Sequence, residues 1–309
     1  MGLFDKPEVV ILKESSDARK YLAQLEDLLK QIKPNSALAN SINREIAVTK
    51  AGIVGEDAIL FELKNSGMDL VVLHDLYMET EDGRGAQIDY LVVTPYVNVI
   101  IECKNLFGNI EINSKGDFIR SFCYEGRWIK EGIYSPITQN ERHLTVFKDC
   151  RAADKHALSR FMMEKSFAQY NKSLVVLANP KTVVYDRYAP RSVKEKVIRG
   201  DQLISTLKVM RSDMKKSKKE MLVFAEKYLS FNREDRKEYI KKYVALESQS
   251  KMDPPLDEPP TEESPARSLV CPRCGKELVL RTARKGANAG EQFYGCSGFP
   301  NCRYIMNKP

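Results

Sequence analysis

The chain has 309 residues, 43% of them hydrophobic and 29% charged, with a formal net charge of +7, which is enough for one large domain or two smaller ones with a sizeable core. No apolar run approaches the roughly 18 residues of a membrane span. The opening MGLFDKPEVVILKESSD lacks the basic leader and apolar stretch of a signal peptide, and Lys6 stands where a myristoylation signal needs Ser or Thr, so a cytoplasmic protein that does not engage membranes is expected. The basic excess suits a polyanion partner and lies towards the C-terminus: residues 208–242 carry twelve Lys/Arg against six Asp/Glu, and residues 267–309 carry eight against two.

In chain order, the first predicted element is a helix over 16–33, capped by Ser16, with Ala18, Leu22, Leu25, Leu29 and Ile32 on one stripe and Pro34 as its stop. Such a stripe packs against its own protein or pairs with a second copy. A second helix is expected over about 40–66, with Ile42, Ile46, Ile53, Leu60 and Leu63 inward. Three strands follow, at 69–78, 86–94 and 97–104, separated by ETEDGRG and TPY, with smaller strands near 109–124. Ser135 before Pro136 starts a helix predicted to run to 166 with Leu144, Phe147, Cys150, Ala157 and Phe161 on its apolar face. KSLVVLAN (172–179) reads as a strand, with shorter ones near 181–185 and 196–199, and the chain then turns helical to about 246. Residues 247–266 hold five prolines and an acidic excess without apolar periodicity, the composition of a flexible linker. The expected organisation is therefore a helical segment at 1–40, a main domain at 41–200, a basic helical region at 201–246, the linker, and a small domain at 267–309.

The run VNVIIECKNL (97–106) ends an apolar strand in two opposite charges. Alternation puts Glu102 and Lys104 on one face and Ile101 and Cys103 on the other. Asp89, in the preceding strand, comes close to Glu102 across a short connection, and two carboxylates meeting at a sheet edge repel unless a proton or cation lies between them. A hard divalent ion, Mg²⁺ or Mn²⁺, suits the oxygens of Asp89 and Glu102 and the carbonyl of Cys103. Lys104 beside it is placed to orient or deprotonate a water, or to neutralise charge on a phosphate; on these residues alone, a surface ion pair at a strand end is the alternative.

The segments AGIVGEDAI (51–59), GAQIDYLVVTPYVNVIIECKN (85–105) and SPITQNERHL (135–144) together resemble the nuclease-related domain family, NERD, of the PD-(D/E)XK nuclease superfamily. The resemblance spans about residues 47–165. It implies an α/β fold with the restriction-endonuclease-like αβββαβ core and added helices. It also implies metal binding by Asp89 and Glu102, catalysis by Lys104, and further site positions at Glu56 and Gln139. His143, one turn beyond Gln139, shares its face and is expected to be structural. His74 and His156 show no spacing to a partner and are read as ordinary residues. Ser135 departs from the family's usual Asn.

Cys271, Cys274, Cys296 and Cys302 form two short pairs in the last 39 residues, a pattern that fits tetrahedral zinc, with Gly275 allowing a tight turn. Cys103, Cys123 and Cys150 are scattered and read as buried small hydrophobes. CPRCGKELVLR and FYGCSGFPNC are similar to the zinc ribbons at the C-termini of bacterial type IA topoisomerases, which implies a small β-rich module that binds DNA, often single-stranded. Phe293, Tyr294, Phe299 and Tyr304 offer faces for base stacking, and Arg281, Arg284, Lys285 and Arg303 offer phosphate contacts. The expectation is a divalent-metal-dependent DNA nuclease with structural zinc. The alternative is a non-catalytic DNA-binding or recruitment protein in repair or defence. RNA as substrate, a homodimer and a helicase or repair partner stay open.

Overall fold

The computed structural model describes residues 6–153, 155–233, 240–243, 245, 271, 273–274, 276–282 and 292–307. The expected linker at 247–266, together with Gly275, Arg284 and Lys285, lies outside them. The chain divides into two compact units, Met1–Asp253 and Pro254–Pro309.

The β-branched runs of the first unit build a six-stranded sheet. Its strands are β1 (Val9–Lys13), β2 (Leu70–Glu79), β3 (Gly85–Val93), β4 (Asn98–Lys104), β8 (Asn171–Leu177) and β10 (Val197–Arg199), adjacent in that order. β2, β3 and β4 are antiparallel neighbours, while β1 runs parallel to β2, and β8 parallel to both β4 and β10. Strands this apolar need cover on both faces. One face is covered by helices α2 (Ala37–Lys64) and α6 (Leu203–Val209), where Ile59, Leu63 and Leu207 meet Val72, Val92, Val99 and Ile101. The other is covered by α3 (Pro136–Ala153), α4 (Ala157–Tyr170) and α7 (Lys218–Leu229), where Phe147, Phe167 and Tyr228 meet Leu73, Leu91 and Ile100.

A second, four-stranded sheet is built from β5 (Asn109–Ile112), β6 (Phe118–Tyr124), β7 (Arg127–Ile133) and β9 (Val184–Tyr185), in the order β7-β6-β5-β9. Among the described residues this unit also holds α1 (Asp17–Leu29), the one-turn α5 (Arg191–Lys194) and a single 3-10 turn at Gly200–Gln202. α1 packs Leu25 and Leu28 against Ile42, Ile46 and Tyr243, so its apolar stripe is spent within its own chain.

The αβββαβ core stands as expected, and several details differ. β1 extends the sheet before the first helix; its five residues VVILK are too few to carry a strand signal at the chain's start. Ser16 stands at the N-cap of α1, but its hydroxyl makes no cap. The Asp75 carboxylate instead accepts the Asp17 N–H. The helix expected to run from 135 to 166 is two, α3 and α4, and Ala157 and Phe161 are exposed rather than inward. Residues 210–217 interrupt the helix expected beyond 208; Lys216 N–H donates to Pro95 O at 2.7 Å there. Cys123 is exposed and Cys103 half-buried, so Cys150 alone of the scattered three is the buried hydrophobe expected.

The second unit is a three-stranded antiparallel ribbon of β11 (Leu278–Thr282), β12 (Gln292–Cys296) and β13 (Ile305–Asn307). Tyr294, Tyr304 and Met306 pack with Leu278 around Cys271, Cys296 and Cys302.

Candidate active site and zinc centre

The central sheet opens between β3 and β4. Tyr90 lies opposite Ile101 and Leu91 opposite Ile100; the pairing ends there, with Asp89 and Glu102 the next residue of each strand. At that level the ladder stops: the Cys103 N–H donates to Asp89 Oδ2 at 2.7 Å instead of to a β3 carbonyl. On its other side β4 stays paired to β8 through Lys104. A side chain has taken the place of a ladder carbonyl, and the strands part around it.

β2 deforms at the same level. Asp75 has φ +59°, and the β2–β3 register is interrupted there and resumes at Leu76 opposite Ile88. Val71 and Leu73 therefore share a cluster with Leu76 and Met78, and Leu91 and Val93 share it with Ile88 and Ala86. Strict alternation would separate those pairs. The gap in pairing is held by Lys13, whose ammonium donates to the His74 carbonyl at 2.9 Å and to the Asp75 carbonyl, and by Gln87, which donates to the Asp75 carboxylate.

Glu102 and Lys104 project to the α3 side and form an ion pair of 2.6 Å. Glu102 is only 2% exposed. Lys104 Nζ also donates to Gln139 Oε1 at 3.1 Å. α3 is set against the sheet by Asn140, which is buried and donates to the carbonyls of Leu174 (2.8 Å) and Ile100 (3.3 Å). The helix start is capped by Ser135, whose Oγ accepts the Thr138 N–H at 3.3 Å. With α3 fixed there, Gln139 and His143 face the opening, and His143 Nδ1 lies 3.3 Å from Glu102 Oε2. The two atoms are close but misaligned, so Glu102 Oε2 is buried without a hydrogen-bond partner.

Glu56 enters from α2. Its Oε2 meets His74 Nε2 at 2.8 Å, and its carbonyl accepts from the Tyr90 hydroxyl at 2.8 Å. His74 is stacked on Tyr90 with centroids 4.5 Å apart, and its Nδ1 faces the Glu14 carbonyl at 3.3 Å. Gly55 lets α2 approach this closely: a Cβ there would stand 2.6 Å from Asn105 Cβ, and Asn105 Nδ2 donates to Ala51 O at 2.6 Å.

These residues line a cleft of about 420 Å³ that also includes Tyr77, Gly85 and Gln87. Its lining brings together Asp89, Glu102, Cys103, Lys104, Glu56, Gln139 and His143. Burial, with the charges of Glu102 and Glu56 next, pushes the Asp89 carboxyl well above the usual carboxylate range. Burial likewise pushes the Cys103 thiol up. An oxygen-only acidic cluster with a buried, unpartnered carboxylate oxygen fits a hard divalent cation. Sequence reasoning read His74 as an ordinary residue, although it holds Glu56, and passed over Asn140 and Gln87. Their partners lie between 12 and 60 positions away, so no local spacing could have announced them.

In the ribbon, the four thiols lie within 4.8 Å of one another, with Cys271 and Cys302 sulfurs 3.8 Å apart and those of Cys274 and Cys296 3.3 Å apart. Four thiolates at Zn–S distances of about 2.3 Å would be separated by about 3.8 Å. The donor set fits zinc. Backbone hydrogen bonding at Lys276, then the Cys296 thiol, brings the Cys274 thiol down to about 7, towards the ionised form a metal needs.

Family models agree with both sites. The model described as nuclease-related domain matches residues 51–178, and that described as topoisomerase DNA binding C4 zinc finger matches residues 269–309. Residues 51–178 are thus similar to a nuclease-related domain, and residues 269–309 to a topoisomerase DNA-binding C4 zinc finger. No curated protein and no solved structure matches the chain. Within the nuclease-related match fall both strands that part at the cleft and the whole of α3, so its limits enclose every residue that lines the cleft, Tyr77, Gly85 and Gln87 included.

Of the residues proposed to meet nucleic acid, Arg281 and Arg303 are exposed and Phe299 is 58% exposed, with the Arg281 guanidinium 5.8 Å from its ring centre. Phe293 is half-buried opposite Arg281, on the face away from Tyr294. Tyr294 and Tyr304 fill the small core instead.

Proposed function

We propose that the chain is a divalent-metal-dependent nuclease that hydrolyses phosphodiester bonds in DNA, with the C4 zinc finger holding the substrate. The observation that carries this reading is that Asp89 and Glu102, the residues just beyond the last β3–β4 pair, line one cleft, with one Glu102 oxygen buried and unpartnered.

Asp89, Glu102 and the carbonyl of Cys103 would hold Mg²⁺ or Mn²⁺. Such an ion supplies Lewis acidity towards phosphate oxygens. Asp89 has one carboxylate oxygen committed to the Cys103 N–H, which fixes the plane of its carboxylate and leaves the other for the cleft. Lys104 has three N–H donors; Glu102 and Gln139 engage two, which leaves the third to a water or a phosphate oxygen. Its charge sits where negative charge develops on the phosphoryl group. Glu56 adds a further carboxylate on the α2 side, held by His74. In the ribbon, Arg281 and Arg303 would contact phosphates while Phe299 and Phe293 stack bases.

The test is a substrate panel: single-stranded, duplex and nicked DNA and RNA, incubated with the zinc-loaded chain with and without Mg²⁺ or Mn²⁺. Cleavage that requires the added ion supports the reading and ranks the substrates. Tight binding without cleavage of any member would instead favour the recruitment role.

A further inference from the structure

Hairpin β6–β7 turns through Glu125 and Gly126, both at positive φ (48° and 75°), the two-residue turn that suits the strand twist. Around that tip the side chains are aromatic where water-facing positions are ordinarily polar: Tyr124 is 59% exposed and Trp128 73%. The β6–β7 register sorts them onto two faces. Phe122, Tyr124 and Arg120 share one with Arg127, while Trp128 sits opposite Cys123 on the other.

The first face adjoins the segment that leaves β4 just after Lys104, a residue that lines the cleft. Phe107, itself 62% exposed, meets Phe122 edge-on at 6.0 Å. Phe107 is three residues beyond Lys104, at most about 11 Å along the chain. The Arg120 guanidinium lies 4.7 Å from the Phe122 ring centre, held there by Glu131. Flat rings with guanidinium groups among them, leading from a phosphodiester site, match the alternation of bases and phosphates in one strand.

We propose that this face is a stacking platform for a single nucleic-acid strand at the mouth of the cleft, with bases on Phe107, Phe122 and Tyr124 and phosphates met by Arg120 and Arg127. The proposal deepens the nuclease reading and rests on it for the strand's identity.

Trp128 is the chain's one tryptophan and lies on the opposite face. Combining Trp128→Phe with Phe122→Trp therefore moves the intrinsic fluorophore onto the proposed platform. The full, zinc-loaded chain is titrated with a single-stranded oligonucleotide, and binding is followed independently by anisotropy of a label on the DNA. The expected result is emission quenching that saturates with the anisotropy in the double variant and is several-fold larger than in wild type. Tyr124→Ala and Arg127→Ala should each weaken oligonucleotide binding roughly tenfold. Both should leave hydrolysis of bis(4-nitrophenyl) phosphate, too small to reach the hairpin, at the wild-type rate.

Binding with no emission change, equal changes in the double variant and wild type, or no binding at all overturns the platform. Emission that follows protein concentration rather than DNA assigns the face to a second copy and overturns it too. Loss of hydrolysis of the small ester by wild type would count against the cleft, whatever the hairpin does.

Discussion

Asp89 shows how much one side chain can carry. Its carboxyl is raised by burial and by the charges of Glu102 and Glu56. A carboxyl whose folded-state pKa lies above its unfolded value binds more protons in the native state, so it costs stability as pH rises from about 4 through the folded value. Without divalent ions, Asp89→Asn should therefore raise the melting temperature at neutral pH, since Asn keeps an acceptor for the Cys103 N–H. Adding Mn²⁺ should stabilise wild type and leave the variant unmoved; thermal melts of zinc-loaded protein across pH 4–8 check both signs. His74 is the second lever at this scale, because it holds Glu56 from behind. His74→Ala should weaken Mn²⁺ binding by about 10- to 100-fold, read by calorimetry. An unchanged affinity would make His74 a packing residue only.

At the scale of elements, the sheet is held open by substitutions of side chain for backbone. Asp89 replaces a ladder acceptor, and the Lys13 ammonium engages the Asp75 carbonyl where the β2–β3 pairing is interrupted. Local pattern marked β2, β3, β4 and β8 because their β-branched runs are long and bounded by turn residues, and it placed Glu102 and Lys104 on one face because alternation is local. It left out β1, whose five residues gain their place only by pairing with β2, and it carried α3 through the break before α4 because apolar spacing persists across it. The break in alternation at Asp75 and Asp89 was equally hidden, since it depends on Lys13 and Gln87 bonding to β2 from elsewhere. α2 offers a direct test of element packing. Gly55→Ala would push a methyl into Asn105, and overpacking of this kind costs about 1–3 kcal/mol, measurable by urea denaturation. The same change should lower Mn²⁺ affinity if α2 carries Glu56 to the site.

Across the whole molecule, the two units differ in donor chemistry: carboxylates gather in the cleft of the first unit, and four thiols cluster in the C4 finger. A ribbon with so small a core draws folding free energy from its metal. Cys296→Ser should therefore release zinc and weaken DNA binding while the first unit keeps its own melting transition and its hydrolysis of small phosphodiesters. Among the described residues no helix is long and apolar enough to cross a membrane. The most direct measurement is Mn²⁺-dependent cleavage of DNA by wild type beside Asp89→Ala and Lys104→Ala, each with its zinc content verified. The account predicts metal-dependent cleavage by wild type and loss of at least about a hundredfold in each variant. Cleavage by either variant at the wild-type rate would contradict it.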